Sequence, residues 1–374
     1  MENIFLDHKK AINLVKKHGA PLLVINQKNL IDNYTTLNNL LPRVNIFYAI
    51  KSNPNKEIVK TFIKLKASFE VASAGEINLL ASLGVDSNKI IFANTVKKIE
   101  DLKIAKAKNI DLTTFDSKLE IDKIAKYLPR SKVLLRLKVP NIDSLVDLSL
   151  KFGADEKEAI SLIKIAKDKG LIPAGISFHV GSQCLNVVNY GKAIELAAKI
   201  FTKCKKENIN LSLLNIGGGF PVQYQQNVTV PSLKDIARKI NHSLDKYFSD
   251  KRIKIIAEPG RYLSAPAVNL ICSVIGKNIR NNKQWYTVDD GLYGSFSGIL
   301  FDHAKYQFFT FKEEGITPSV LAGPSCDSLD IIADDLYLPN LELGDLIIVP
   351  QIGAYSSAHA TNFNGIPLTK TIMV

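Results

Sequence analysis

Between residues 44 and 260 the chain alternates a short apolar run of β character with a stretch of helical pattern, and this repetition restricts the folds open to it. Eight runs stand out: VNIFYAIK (44–51), SFEVAS (68–73), IIFAN (90–94), LTTFD (112–116), VLLRLKV (133–139), GISFHVG (175–181), LLNIGGG (213–219) and KIIAEPG (254–260). They are rich in Val, Ile, Leu and Phe with little polar alternation, the pattern of parallel strands buried on both faces. Eight strands, each joined to a helix, predict an α/β fold built on a (β/α)8 TIM barrel. An open doubly wound sheet is the alternative, but it would carry its glycine-rich turn after the first strand. Here the first strand runs into Lys51, and the glycine-rich segment comes near the seventh.

The segments between strands carry helix punctuation. SAGE (73–76) and SKLE (117–120) read as capping boxes, in which the serine accepts from the third helical N–H and the glutamate reaches back to the cap. Gly84 and Gly170 fall where helices need terminators, Pro129 closes another helix, and Pro231-Ser232 opens a further one. Beyond residue 262 the helical period fades, and the runs VNLICSVIGKNI, QWYTVDD, SVLAG and DLIIVPQIGAYS are β-like. The expected organisation is a barrel over 27–264 and a C-terminal all-β domain over 265–374. Strand-like APLLVINQ (20–27) lets the segment 1–26 join that β domain.

Hydrophobic residues make up 46% and charged residues 22%, the balance of a globular protein, and 374 residues suffice for one large domain and a smaller one. The start, MENIFLDHKK, places charges where a secretory signal needs an apolar run, and no apolar stretch reaches membrane-spanning length. Cys184, Cys204, Cys272 and Cys326 are scattered with no CxxC pair, which argues against a metal site and for a reducing, cytoplasmic setting. The net charge of +12 is spread over segments such as KIAKDKG and KCKKEN, as on a solvated surface rather than a nucleic-acid-binding face.

In a (β/α)8 barrel the chemistry sits where the strands end. The run ends are Lys51, Glu70, Asn94, Asp116, Arg136, His179, Gly217 to Gly219 and Glu258. A ring of ionisable groups at the ends of buried strands costs solvation without adding stability, so it reads as a site. Taken singly, Lys51 is either a snorkelling lysine or a lysine held dry to form a Schiff base with a carbonyl. IGGGFP is either a tight turn or a backbone cradle for phosphate, and Arg261, at the end of the eighth run, favours phosphate. His179 either stacks on a flat ring or is a satisfied core histidine. Glu258 can pair with a ring nitrogen. Together, a Schiff-base lysine, a phosphate cradle and a carboxylate for a pyridine nitrogen describe a pyridoxal 5'-phosphate site.

With those parts in view, the chain resembles the fold III pyridoxal phosphate decarboxylases, the alanine-racemase-like group that includes eukaryotic-type ornithine, bacterial lysine/ornithine and diaminopimelate decarboxylases. The matching segments run in family order from residue 48 to 365: YAIKSN, FEVASAGEI, SFHVGSQ, IGGGFP, EPGRY, DDGLYGSFSGILFDHA, GPSCDSLD and GAYSSAHATNFNG. The resemblance implies that Lys51 is the Schiff-base lysine, His179 stacks on the ring and Glu258 meets its nitrogen. It implies phosphate contacts from Ser182, Gly218, Gly219, Arg261 and Tyr355. Glu70 stands where many relatives have aspartate, and Arg136 falls in the active-site network. Cys326 matches the residue that returns a proton to Cα. It comes from the partner subunit in the family, which implies a head-to-tail homodimer with shared sites.

The resemblance also assigns Asp302, Asp327 and Tyr293 to substrate binding. Two carboxylates suit a distal ammonium and repel the extra carboxylate of diaminopimelate. The expected reaction is decarboxylation of a basic amino acid, L-ornithine to putrescine first, with L-lysine as alternative or second substrate. Diaminopimelate decarboxylation, racemisation and a non-catalytic, decarboxylase-like regulator are the competing readings. Two departures stand out. Asn215 replaces the aspartate usual before the triple glycine in ornithine enzymes, and His359 has no assignment.

Overall fold

Parallel pairing of eight short strands closes a barrel in the computed structural model, which describes residues 4–146, 150–225 and 227–374. The strands are β1 Val44–Ala49, β2 Ser68–Val71, β3 Ile90–Phe92, β4 Leu112–Phe115, β5 Lys132–Arg136, β6 Ile172–Ser177, β7 Leu213–Asn215 and β8 Lys254–Ala257. Each pairs with the next, and β8 returns to β1 through Ile255 opposite Val44. Phe47, Ile91, Ala93, Leu134, Ala174 and Ile256 fill the interior from both sides of the ring. A barrel of this kind is a packed core, so its inward residues are large, branched or close-fitting. The expected barrel is therefore present, and the open-sheet alternative is excluded.

The strands are shorter than the apolar runs. β5 stops at Arg136, before Leu137 to Val139, and β6 stops at Ser177, two residues before His179. The triple glycine follows β7, outside any strand. Of the residues read as strand ends, Glu70 and Arg136 lie in β2 and β5, and the others lie just beyond the strands.

Chain folding divides into two compact units. The barrel unit comprises Asp32–Pro221 and Thr229–Gly260, and the β unit comprises Met1–Ile31, Val222–Val228 and Arg261–Val374. In the β unit Leu22–Ile25 pairs antiparallel with the long strand Val268–Arg280 and parallel with Lys370–Met373. The long strand is buried from Val268 to Cys272 and mostly exposed from Ile275 onward. A bulge between Val274 and Gly276 marks that change of surroundings. Among the described residues no helix is long and apolar enough to cross a membrane, and no cluster of His, Cys, Asp or Glu could hold a metal ion.

The helix caps follow the sequence on one side only. The Ser73 and Ser117 hydroxyls accept from Glu76 N and Glu120 N, and Ser232 accepts from Asp235 N at 3.1 Å. Neither glutamate makes the reciprocal bond. Glu76 accepts from Ala72 N at 2.6 Å, one residue short of the cap. Glu120 turns instead to Lys97, whose ammonium lies 2.9 Å away with 0% of its side chain exposed. A buried ammonium draws the carboxylate more strongly than one exposed N–H does. Lys97 also donates to Asn94 O at 2.8 Å and Thr114 O at 2.6 Å. Burial foremost lowers its pKa to about 8, against the pull of Glu120. Glu120→Gln leaves this ammonium without its counter-charge, and we expect a loss of about 3 kcal/mol in urea unfolding at neutral pH. A Lys97→Met/Glu120→Leu double variant should recover most of it.

Candidate active site

Ala49 N bonds Pro259 O at 3.1 Å where β1 ends, and a single 3-10 turn, Ile50–Ser52, carries Lys51. Ser52 Oγ donates to Ala49 O at 2.8 Å, and the buried Tyr48 hydroxyl donates to Asn53 O at 2.9 Å, so the turn is clamped from both sides. The Lys51 side chain keeps 41% of its surface. Its ammonium pairs with Glu70, a carboxylate buried on β2 directly across from Ala49.

Glu258 follows β8 and is 9% exposed. Its backbone N–H donates to Gly217 O at 2.7 Å, and its Oε1 accepts from Asn215 Nδ2 at 2.6 Å. Burial raises the Glu258 pKa to about 7, aided by Glu70 and opposed by Lys51, the Asn215 hydrogen bond and Arg136. Glu76 also rises to about 7, through burial first and then Glu70. Burial, with the charges of Arg136 and Lys51, drives the His179 pKa well below its ordinary value, so the imidazole is neutral. Its Nδ1 accepts from Gly181 N at 3.1 Å, which leaves the proton on Nε2.

The glycine segment is shaped for close approach. Gly217 and Gly219 have φ of +66° and +96°. A Cβ on Gly218 would sit 2.7 Å from Glu258 O and 3.1 Å from His179 Nε2. Tyr190 Oη holds Gly218 O at 3.1 Å from behind. Ser182 begins a short ribbon, Ser182–Cys184, paired antiparallel with Ser144–Val146. Arg136 ends β5, its guanidinium 5.3 Å from the Phe152 ring centre, within the field of Glu258, Asp116 and Glu70. Lys51, Glu70, Arg136, His179 and Glu258 therefore form one electrostatic cluster.

Two further clusters lie in the β unit. Arg261 is 4% exposed. It donates through both terminal nitrogens to the Asp302 carboxylate, at 2.7 Å from Nη2 to Oδ1, and to Tyr224 Oη at 3.0 Å. The guanidinium lies 4.9 Å from the Tyr355 ring centre, and the His359 ring lies near-parallel to Tyr355 with centroids 6.1 Å apart. Asp302 was expected to meet a substrate ammonium, but both its oxygens are taken by Arg261. The contact spans 41 residues, so no local pattern announced it.

The second cluster is held together by two buried aspartates. Asp330 accepts from Leu292 N at 2.7 Å and Ser325 N at 3.1 Å, tying DDGLYGS to GPSCDSLD. Asp290 accepts from Ser295 N at 2.9 Å and Thr369 Oγ1 at 2.6 Å. Tyr293 is thereby placed to donate to Asp327 Oδ2, while Asp327 Oδ1 accepts from Leu329 N at 2.9 Å. Those two bonds, the Leu329 N–H first, hold the Asp327 pKa below its ordinary value. Cys326 is exposed beside it, its N–H on Asn364 Oδ1 at 3.0 Å.

Sequence reasoning missed Glu76 as more than a cap and passed over Tyr190 and Tyr224. A buried tyrosine needs a partner for its hydroxyl, but which partner is a tertiary matter.

Comparison with known proteins points the same way as the chemistry. A family model described as "Pyridoxal-dependent decarboxylase, pyridoxal binding domain" matches residues 27–265. A lysine/ornithine decarboxylase of Selenomonas ruminantium is 42% identical over 373 residues, covering 100% of this chain and 94% of that protein. Antizyme inhibitor 2 of Xenopus laevis is 38% identical over 342 residues, 87% of this chain and 74% of that one. Among solved structures, a lysine/ornithine decarboxylase from Vibrio vulnificus complexed with cadaverine superposes with a TM-score of 0.92 at 37% identity, covering 99% of each chain.

Proposed function

This chain belongs to the family of pyridoxal-dependent decarboxylases acting on basic amino acids, and from that premise we propose that it decarboxylates L-ornithine to putrescine, with L-lysine to cadaverine as its alternative or second reaction. The observation that carries the reading is the Lys51–Glu70–Glu258 cluster at the mouth of the barrel: an amine, a carboxylate beside it and a second carboxylate clamped by Asn215.

The residues fit pyridoxal phosphate. Lys51 offers the amine for its aldehyde, Gly218 and Gly219 a backbone surface without side chains, and neutral His179 a flat face. Arg261 supplies the charge for phosphate. Asp302, through its bidentate grip, fixes the direction in which Arg261 points, and we assign it that task in place of direct substrate binding. When bound, the cofactor supplies an electron sink for the pair left behind as carbon dioxide departs. Glu258 would face the ring nitrogen and, in its ionised form, favour a proton there. Tyr293 and Leu329 N hold Asp327 ionised as the counter-charge for the substrate's distal ammonium. The Cys326 thiol holds the proton destined for Cα.

Cys326 is exposed and flanked by Leu329 at 73% and Phe363 at 38% exposure. Apolar surface beside an exposed thiol suits coverage by a second copy, so we assign a homodimer in which each protomer lends Cys326 to its partner. The likeness to an antizyme inhibitor carries one other reading, a decarboxylase-like binding protein without turnover; a visible imine band in the purified protein distinguishes the two.

Ornithine and lysine differ by one methylene, worth about 1–3 kcal/mol in a pocket. Steady-state comparison of ornithine, lysine, arginine and diaminopimelate tests the assignment. Ornithine and lysine should lead, within about 200-fold of each other in kcat/KM. Preference for arginine or diaminopimelate would overturn it.

A further inference from the structure

The Asn215 side chain ties the glycine loop to Glu258, and its orientation is locked. Its Oδ1 accepts from Gly217 N at 2.9 Å, so its Nδ2 must face the carboxylate, where it donates to Oε1 at 2.6 Å. The residue is 0% exposed, and water does not compete for either bond. A backbone N–H cannot be flipped into an acceptor, so the amide cannot turn over to present its oxygen to Glu258.

We propose that Asn215 is a positioning residue that holds Glu258 as an anion and reserves Oε2 as the single oxygen for the cofactor's ring nitrogen. This deepens the function proposed above and rests on it only for the identity of the ring. A fixed donor on Oε1 favours the ionised carboxylate, because a hydrogen bond to the charged form stabilises that form. It also removes the rotational choice between two equivalent oxygens. The groups facing Glu258 otherwise divide: Glu70 opposes its ionisation, and Lys51 and Arg136 favour it. Asn215 adds to the favourable side without adding charge.

An aspartate at this position would keep the bond from Gly217 N with one oxygen and turn the other toward Glu258. Two carboxylates in contact cannot both ionise, so they would share a proton. Asparagine therefore sets the pH at which this site becomes competent to hold a protonated ring nitrogen.

The test is an infrared pH titration of the cofactor-free protein from about pH 5 to about pH 9, with the Glu258 carboxyl band identified by its loss in Glu258→Gln. Asn215→Asp, which is isosteric, should raise the midpoint by at least about one pH unit, and Asn215→Ala should raise it by less. An unmoved or lowered midpoint in Asn215→Asp overturns the proposal. In the holoenzyme, the pH midpoint of the visible absorption band should move in the same direction. If the protein binds no pyridoxal phosphate at all, the proposed function fails while the infrared midpoint still decides the role of Asn215.

Discussion

Lys51→Ala should abolish the visible absorption band of protein mixed with pyridoxal phosphate and lower decarboxylation by at least about 10³-fold. The lysine is the amine set beside Glu70 on a clamped turn, and its side chain is 41% exposed. Alanine removes the nucleophile but leaves Glu258, His179 and the glycine loop in place, so the variant should still bind the cofactor without covalent capture. Added small amines should restore part of the turnover, because the missing step is chemical rather than structural. Removing Lys51 takes the ammonium from the buried Glu70 carboxylate, so circular dichroism must show the variant folded before its spectrum is read. Retention of the absorption band in a well-folded Lys51→Ala protein would refute the assignment.

Asp327→Ala should leave that band intact and cost about 10²-fold in kcat/KM for ornithine and lysine, mostly through KM. Asp327 lies in the β unit, accepting from Tyr293 and from Leu329 N, and these bonds keep it anionic. The variant loses the counter-charge for a distal ammonium but none of the groups assigned to the ring. Asp327→Asn, which keeps the shape and loses the charge, should show nearly the same loss. If KM were unchanged in both variants, the distal ammonium would have to be recognised elsewhere. Asp302→Ala should behave differently: it frees Arg261, so cofactor affinity should fall along with turnover.

The barrel was legible because parallel strands buried on both faces need unbroken runs of Val, Ile, Leu and Phe, and such runs are visible without any partner. Their ends were less so. Leu137 to Val139 continues the run of β5, yet the strand stops at Arg136: Leu137 N still bonds Ser177 O, but from there Leu137 and Lys138 pair with Ala154 instead of β6. A hydrophobic run reports burial, and a loop can be as buried as a strand. Lys51, Glu70, Arg136 and Glu258 could be read as one group because a closed barrel brings strand ends together whatever the loops do. Partner choice among charges escaped the sequence. The glutamate in SKLE serves Lys97, and Asp302 serves Arg261, because both pairings depend on which side chains the finished fold buries side by side. Asn215 was visible as a departure from its relatives, but its meaning emerged only from the direction of its amide.

The most direct measurement is borohydride reduction of the holoenzyme followed by peptide mass spectrometry. The account predicts a single phosphopyridoxyl adduct on the peptide containing Lys51, formed in wild-type protein and absent from Lys51→Ala. An adduct on any other lysine, or none in protein that turns over ornithine, would contradict it.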